Sequence, residues 1–205
     1  MSTDMTDHDD RPTASSAGVH VLFNGYVDLT ASPFSVASTV SYVRDGDAQV
    51  VIDPGLVPNR RSILEPLEGL GVNPAQVTDV IFSHHHPDHT INAALFPNAR
   101  IHDYWAVYKN DTWTSRPAEG FAVSPSIRLI ETPGHTPQCI TTLVGTSEGV
   151  TAFTHLWWTA TEPSEDPLAW DAAAMHPARV RVLKVANLIV PGHGAPFTPD
   201  DSTPK

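Results

Sequence analysis

The sequence predicts a mixed α/β domain built on two sheets, and three observations carry that expectation. Runs of β-branched and aromatic residues alternate with segments of helical period. No Gly-rich dinucleotide fingerprint opens any of the helical segments. Several of the strand-like runs end directly in turns that contain histidine. At 205 residues the chain fits one domain and can bury roughly 70% of its unfolded surface, so it needs no disulfide staple.

The elements follow in order. Residues 1–18 are polar, with Asp4, Asp7, Asp9 and Asp10 ahead of a Thr/Ser/Ala stretch. Without a basic region or an apolar run this is no signal peptide, and it reads as a disordered tail before a single domain over 19–205. Residues 19–27 and 35–43 have strand composition. Asp45-Gly46-Asp47 is a turn that pairs the second of these with 49–52, which exits at Asp53-Pro54-Gly55. Ile63, Leu64, Leu67 and Leu70 mark a helix over 60–70 that Gly71 ends. A buried strand over 77–82 runs into Ser83 and the first histidine cluster. A helical turn or two over 90–95 stops at Pro97. Short strands are expected at 100–102 and 126–131, then at 139–144 and 149–154. Residues 156–177 read as a loop-rich insertion holding Trp157, Trp158 and Trp170. A helix over 178–186 and a strand over 188–190 lead to Pro191-Gly192-His193-Gly194.

Composition narrows the function. The balance of 12 Lys and Arg against 23 Asp and Glu repels phosphate backbones, which disfavours nucleic acid as a substrate. The densest basic stretch, Arg179, Arg181 and Lys184, has the spacing of a solvated helix face. The lone Cys139 forms no internal bridge, as befits a reducing compartment, and no apolar run is long enough to cross a bilayer. A cytoplasmic protein is expected. Oligomeric state leaves no signature in the sequence.

Histidine carries the chemistry. Of eleven histidines, six lie in three compact motifs. In Ser83-His84-His85-His86-Pro87-Asp88-His89, the pattern H-x-H-x-D-H sits between a strand end and a helix start. Two imidazoles one residue apart can reach one ion from an extended turn, and the Asp and His that follow face a second position nearby. Zinc favours this mixture of nitrogen and oxygen. His85 points opposite to its neighbours in such a turn and is left out. Thr132-Pro133-Gly134-His135 and Pro191-Gly192-His193-Gly194 each follow a strand, with glycines that let the backbone bend sharply to present a histidine.

In this order the motifs resemble the metallo-β-lactamase superfamily over most of 19–197. The run Val182-Leu183-Lys184-Val185-Ala186-Asn187-Leu188-Ile189-Val190-Pro191-Gly192-His193-Gly194 is most similar to the subgroup that includes metallo-β-lactamase domain-containing protein 1. The resemblance implies an αββα sandwich with its metals at one sheet edge. It places His84, His86 and His135 on a first ion and Asp88, His89 and His193 on a second, with Asp88 also taken as the catalytic carboxylate. Asp53 would stand behind them, bonded to a ligand histidine or to the backbone of the cluster.

One position departs from the pattern. Two-metal hydrolases of the superfamily carry a bridging Asp after the strand that here ends at Thr154, and this chain has His155. A neutral imidazole offers one lone pair and cannot bridge as a carboxylate does. His155 is then a terminal ligand of the second ion, or one ion is weak or absent, with Asp166 and Asp171 as rival ligands. With Asp88 as the single carboxylate among seven ligands, two divalent ions retain about +3, which acidifies bound water and weakens a second site. Trp157 and Trp158 are candidates to wall an apolar substrate pocket.

These features predict a hydrolase with one or two zinc ions, acting on a small ester, lactone, thioester or amide. Iron or manganese at the same ligands, with an iron-dependent oxidoreductase activity, is an alternative. The subgroup resemblance adds ribonuclease activity, though no basic RNA-gripping module is visible.

Overall fold

A computed structural model describes residues 9–161 and 163–205. Seven strands form a first sheet: β1 (Gly18–Phe23), β4 (Val40–Asp45), β5 (Ala48–Ile52), β6 (Asp79–Ile81), β7 (Arg100–His102), β8 (Ala106–Lys109) and β9 (Thr112–Ser115), hydrogen-bonded in that order. Five form a second: β10 (Ala122–Ser124), β11 (Ile127–Glu131), β12 (Ile140–Thr146), β13 (Gly149–Thr154) and β14 (Leu188–Pro191). A small hairpin of β2 (Tyr26–Asp28) and β3 (Ser35–Ala37) lies apart from both. The helices are α1 (Arg61–Gly69), α2 (Pro87–Thr90) and α3 (Ala172–Leu183).

Three apolar layers make this an αββα sandwich. Val50, Ile52 and Ile81 of the first sheet meet Ile127, Leu129, Val144, Phe153 and Val190 of the second in the central layer. On the outer face of the first sheet, Val51 and Val80 receive Ile63 and Leu67 of α1. On the outer face of the second, Leu143, Ala152 and Ile189 receive Ala178 and Val182 of α3. Val50 and Val51 thus face different layers, as do Leu143 and Val144, because side chains alternate along a strand. Strands buried on both faces read as continuous apolar runs, and this is why β5, β6, β12 and β13 were legible.

Several boundaries differ from the expectation. Residues 19–27 and 35–43 are each broken in two. At the first break Gly25 passes so close to Ala37 and Thr39 that a Cβ would lie 2.4 Å from the Ala37 carbonyl oxygen. The C-terminal helix starts at Ala172 rather than 178, because Asp171 caps it by accepting from the Ala173 and Ala174 amides. Pro177 lies inside that helix, whose Met175, Ala178 and Val182 are buried, and packing overrides the missing amide. Strands β8, β9 and β10 carry no apolar alternation: β9 is exposed throughout. Their one signal is the Asn110-Asp111 turn, with Asn110 at φ 53°, a left-handed conformation Asn tolerates.

The expected tail, 1–18, falls partly outside the described residues, which begin at 9. From there it is docked. Asp10 is bound by both arms of Arg181 at 2.6 and 2.7 Å, and the Ala14 and Ala17 amides donate to Pro125 and Gly145. Of the basic stretch Lys184 is exposed as expected, but the two arginines are engaged. Arg181 also binds Glu119, while Arg179 is buried, donating to the Leu156 and Ser164 carbonyls.

One buried ion cluster sets an acid limit on stability. Asp79, fully buried, accepts from Thr78, Arg100 and His102, each at 2.7 Å. Burial alone would raise its carboxyl; the bonds from His102, Arg100 and Thr78 outweigh it and hold the pKa at about 2. A folded pKa below the unfolded value of about 4 adds stability that is complete above that pH and vanishes as the pH falls through the folded value. Asp79→Asn is expected to cost roughly 2 kcal/mol at neutral pH and to flatten the loss of stability below about pH 4. Urea melts of wild type and variant with equal midpoints at neutral pH would contradict this.

Candidate metal centre

Strand ends build the site. Asp53 follows β5, Ser83 and His84 follow β6, His135 follows β11, His155 follows β13 and His193 follows β14. β5 and β6 run parallel, as do β13 and β14, so their carboxyl ends open on the same edge. α2 then begins at Pro87, which suits the first helical position, and carries Asp88 and His89 into the group.

The convergence is close. His86 Nδ1 lies 3.0 Å from both His84 Nε2 and His135 Nε2. His155 Nε2 lies 3.0 Å from His193 Nε2. Asp88 Oδ2 is 3.3 Å from His89 Nε2 and 3.6 Å from His193 Nε2. His155 belongs to both sets of ligand atoms, one with His84 and His135 and one with His89 and His193. All these rings except His86 are buried.

The outer nitrogens are mostly anchored. His84 Nδ1 meets Ser83 Oγ at 3.1 Å, His89 Nδ1 meets Asp53 Oδ2 at 2.9 Å, His135 Nδ1 meets Asp166 Oδ2 at 2.7 Å, and His193 Nδ1 meets the Ala37 carbonyl at 2.9 Å. Asp53 turns its other oxygen to the Ser83 amide at 2.7 Å and adopts φ 50°, an uncommon conformation for a residue with a Cβ. His155 is the exception. Its Nδ1 is buried without a hydrogen-bond partner, as is His89 Nε2 on the inner side.

This donor set fits a divalent ion. Anchored outer nitrogens fix the rings of His84, His89, His135 and His193 with their inner nitrogens towards the centre. Burial first, then the neighbouring imidazoles, push His84 and His155 well below the ordinary histidine range, and burial brings His193 down to about 4. Neutral rings are what a metal requires. Burial also depresses His89, but Asp53 and Asp88 outweigh it and raise this ring to about 9, so without metal it holds a proton that an ion must displace. Asp88 is ionised: His89 and His193 overcome burial and bring it to about 2. Tetrahedral coordination at 2.0–2.1 Å places ligand nitrogens about 3.3 Å apart, close to the spacings found.

Other expectations change. Asp166 and Asp171, the rival ligands, point elsewhere: Asp166 backs His135, and Asp171 caps α3. Trp157 does not wall a pocket. It is 1% exposed beneath α3, under the Arg179 guanidinium, with Nε1 donating to Pro204. Trp158 is also buried, and donates to Asp166 at 3.2 Å. His85 turns outward to Asp103 at 2.9 Å. The glycines of the two P-G-H turns serve space rather than bending, since neither has positive φ. A Cβ on Gly192 would stand 2.6 Å from the His155 ring, and one on Gly134 2.3 Å from Met175. Ser83, Ala37 and the role of Asp166 were missed. A backbone carbonyl has no sequence signature, and Asp166 lies 31 residues from its partner.

At the edge of an αββα sandwich, then, lies a histidine cup whose ligand atoms could hold a metal ion. The model of the metallo-beta-lactamase superfamily matches residues 35–163, and the chain belongs to that superfamily. It is 35% identical over 192 residues to metallo-beta-lactamase domain-containing protein 1 of Xenopus laevis, covering 89% of this chain and 82% of that one; it spans about three fifths of the mammalian proteins of that name. A Thermotoga maritima protein classed as a metallo-beta-lactamase superposes with a TM-score of 0.74 at 22% identity, over 90% of this chain and all of the other. A quorum-quenching N-acyl homoserine lactone lactonase superposes with a TM-score of 0.64 at 19% identity, over 88% and 92%.

Proposed function

We propose that this protein is a metal-dependent hydrolase of small carbonyl substrates, with lactones, esters, thioesters and amides as the class to test. The observation that carries the reading is the set of inward lone pairs from His84, His86, His135, His89, His155 and His193, with outer nitrogens fixed by Ser83, Asp166, Asp53 and Ala37. Membership of the superfamily and the likeness of fold to a lactone lactonase support it.

In this reading His84, His86 and His135 would hold one ion and Asp88, His89 and His193 a second, and His155 has a ligand atom within reach of both groups. Zinc suits this nitrogen-rich set. When bound, divalent ions supply Lewis acidity towards a carbonyl and a water acidified towards neutrality. The chain's own part is orientation. Asp53 and Asp166 fix the tautomers of His89 and His135, and the ionised Asp88 offers an oxygen that accepts a proton at the reacting centre.

The test is turnover of a chromogenic panel of the four classes by zinc-loaded and chelator-stripped protein, with metal content measured in parallel. Turnover that survives complete stripping would defeat the reading, and iron with oxygen uptake would favour the oxidoreductase. A second expectation concerns His155. His155→Asp supplies the bridging carboxylate, so elemental analysis should find the second ion bound more tightly than in wild type. Equal stoichiometry and affinity would show that the histidine does not limit nuclearity.

A further inference from the structure

The strand end after Thr154 brings an imidazole, His155, into the middle of the histidine group, and the segment that follows it brings a carboxylate, Asp166, to the back of that group. Asp166 is buried, its side chain 1% exposed, and three donors hold it. His135 Nδ1 stands at 2.7 Å and Trp158 Nε1 at 3.2 Å from Oδ2, and the Leu168 amide at 2.8 Å from Oδ1. Trp158 is three residues beyond His155, and its ring lies 6.2 Å from that of His193. The described residues between 159 and 171 lie in no helix or strand, yet the end of the segment is stitched to the ligand turn: the Trp170 and Asp171 amides donate to the His135 and Gly134 carbonyls at 3.1 and 3.0 Å. Arg179 Nη1 fixes its near end through the Ser164 carbonyl.

We infer that Asp166 is a positioning residue that acts through His135 to supply the centre with negative charge, where the neutral ring of His155 supplies none. The inference rests on reading the centre as a metal site. A carboxylate on the outer nitrogen of a ligand imidazole makes the inner nitrogen a stronger donor and fixes its direction. Asp53 does this for His89 on one side of the cup; Asp166 does it for His135 on the other. The charge reaches an ion through a ring instead of by direct contact. Each half of the cup thus has its own carboxylate behind a ring, Asp53 behind His89 and Asp166 behind His135.

The experiment is a mutant cycle on metal affinity. Metal-free wild type, Asp166→Asn, His155→Asp and the double variant are titrated with zinc against a chromophoric chelator, and the cobalt(II) absorption spectrum of each is recorded. Asp166→Asn is expected to weaken the tighter ion by about 10–100-fold and to shift the cobalt bands. The same change in the His155→Asp background should cost much less, because the centre then has its own carboxylate. The low-field proton resonance of His135 Nδ1–H should be lost or moved in Asp166→Asn without metal present. If Asp166→Asn does not fold, Asp166→Glu against Asp166→Gln asks the same question, and only the charged variant should retain affinity. Equal penalties in both backgrounds, or an unchanged cobalt spectrum, would overturn the inference. A wild type that binds no zinc or cobalt would overturn both this and the hydrolase reading, whereas metal binding without turnover would defeat the latter alone.

Discussion

Replacing His84 with alanine is expected to abolish metal-dependent turnover while leaving the metal-free fold intact. His84 is 1% exposed, its ring lies within 5 Å, centroid to centroid, of those of His86, His89, His135 and His155, and its Nε2 faces the shared position. Losing an outer hydrogen bond to a ligand costs about 10–100-fold in affinity or activity; losing the ligand should cost more. The metal-free fold should lose less stability than in an ordinary core truncation. The inner nitrogens of His84 and His135 each stand 3.0 Å from His86 Nδ1, so removing His84 leaves a cavity but also one fewer buried polar ring to desolvate, and His86 keeps its contact with His135. Zinc at a hundredfold excess over its dissociation constant stabilises a folded protein by about 2.7 kcal/mol. The variant should forfeit that increment and little else. Thermal melts with and without zinc, beside turnover, check both halves. A variant that keeps its zinc-induced rise in melting temperature would refute the assignment of His84.

Gly55→Ala is expected to be the most damaging single methyl in the molecule. The turn Asp53-Pro54-Gly55 passes directly under α2, where the Leu56 amide donates to the Asp88 carbonyl at 2.9 Å. A Cβ on Gly55 would stand 1.5 Å from that carbonyl oxygen and 2.5 Å from His89 Cα. These are backbone atoms, so no rotamer change makes room, and α2 must move away with Asp88 and His89. Overpacking a core ordinarily costs about 1–3 kcal/mol; here the cost should reach at least about 3 kcal/mol, with loss of the second ion. Gly46→Ala is the control: it has φ 59° and open space around it, so it costs turn strain alone and leaves metal content unchanged. Denaturant melts and elemental analysis decide. Wild-type stability in Gly55→Ala would mean that the turn and α2 do not lie in the contact described.

The sequence by itself determined the sandwich and the ligand types. Both sheets announce themselves because β5, β6, β12 and β13 are largely buried on two faces and rich in β-branched and apolar residues. His84, His86, Asp88 and His89 stand in one motif whose spacing lets side chains share an ion, and the family resemblance joins His135 and His193 to them. Exposed β9 and the helix around Pro177 were not legible, since solvent and tertiary packing rather than local pattern hold them.

Tertiary structure alone decided what stands behind the ligands. The partner of His135 is 31 residues away, that of His89 is 36, and that of His193 is 156, and a hydrogen bond across such distances leaves no periodicity to read. It also decided that Trp157 is core, that Asp166 backs a ligand instead of being one, and that Gly55 and Gly192 are there for the space they leave. These are consequences of which surfaces meet when two sheets close on each other, and a linear chain carries no record of that until it folds.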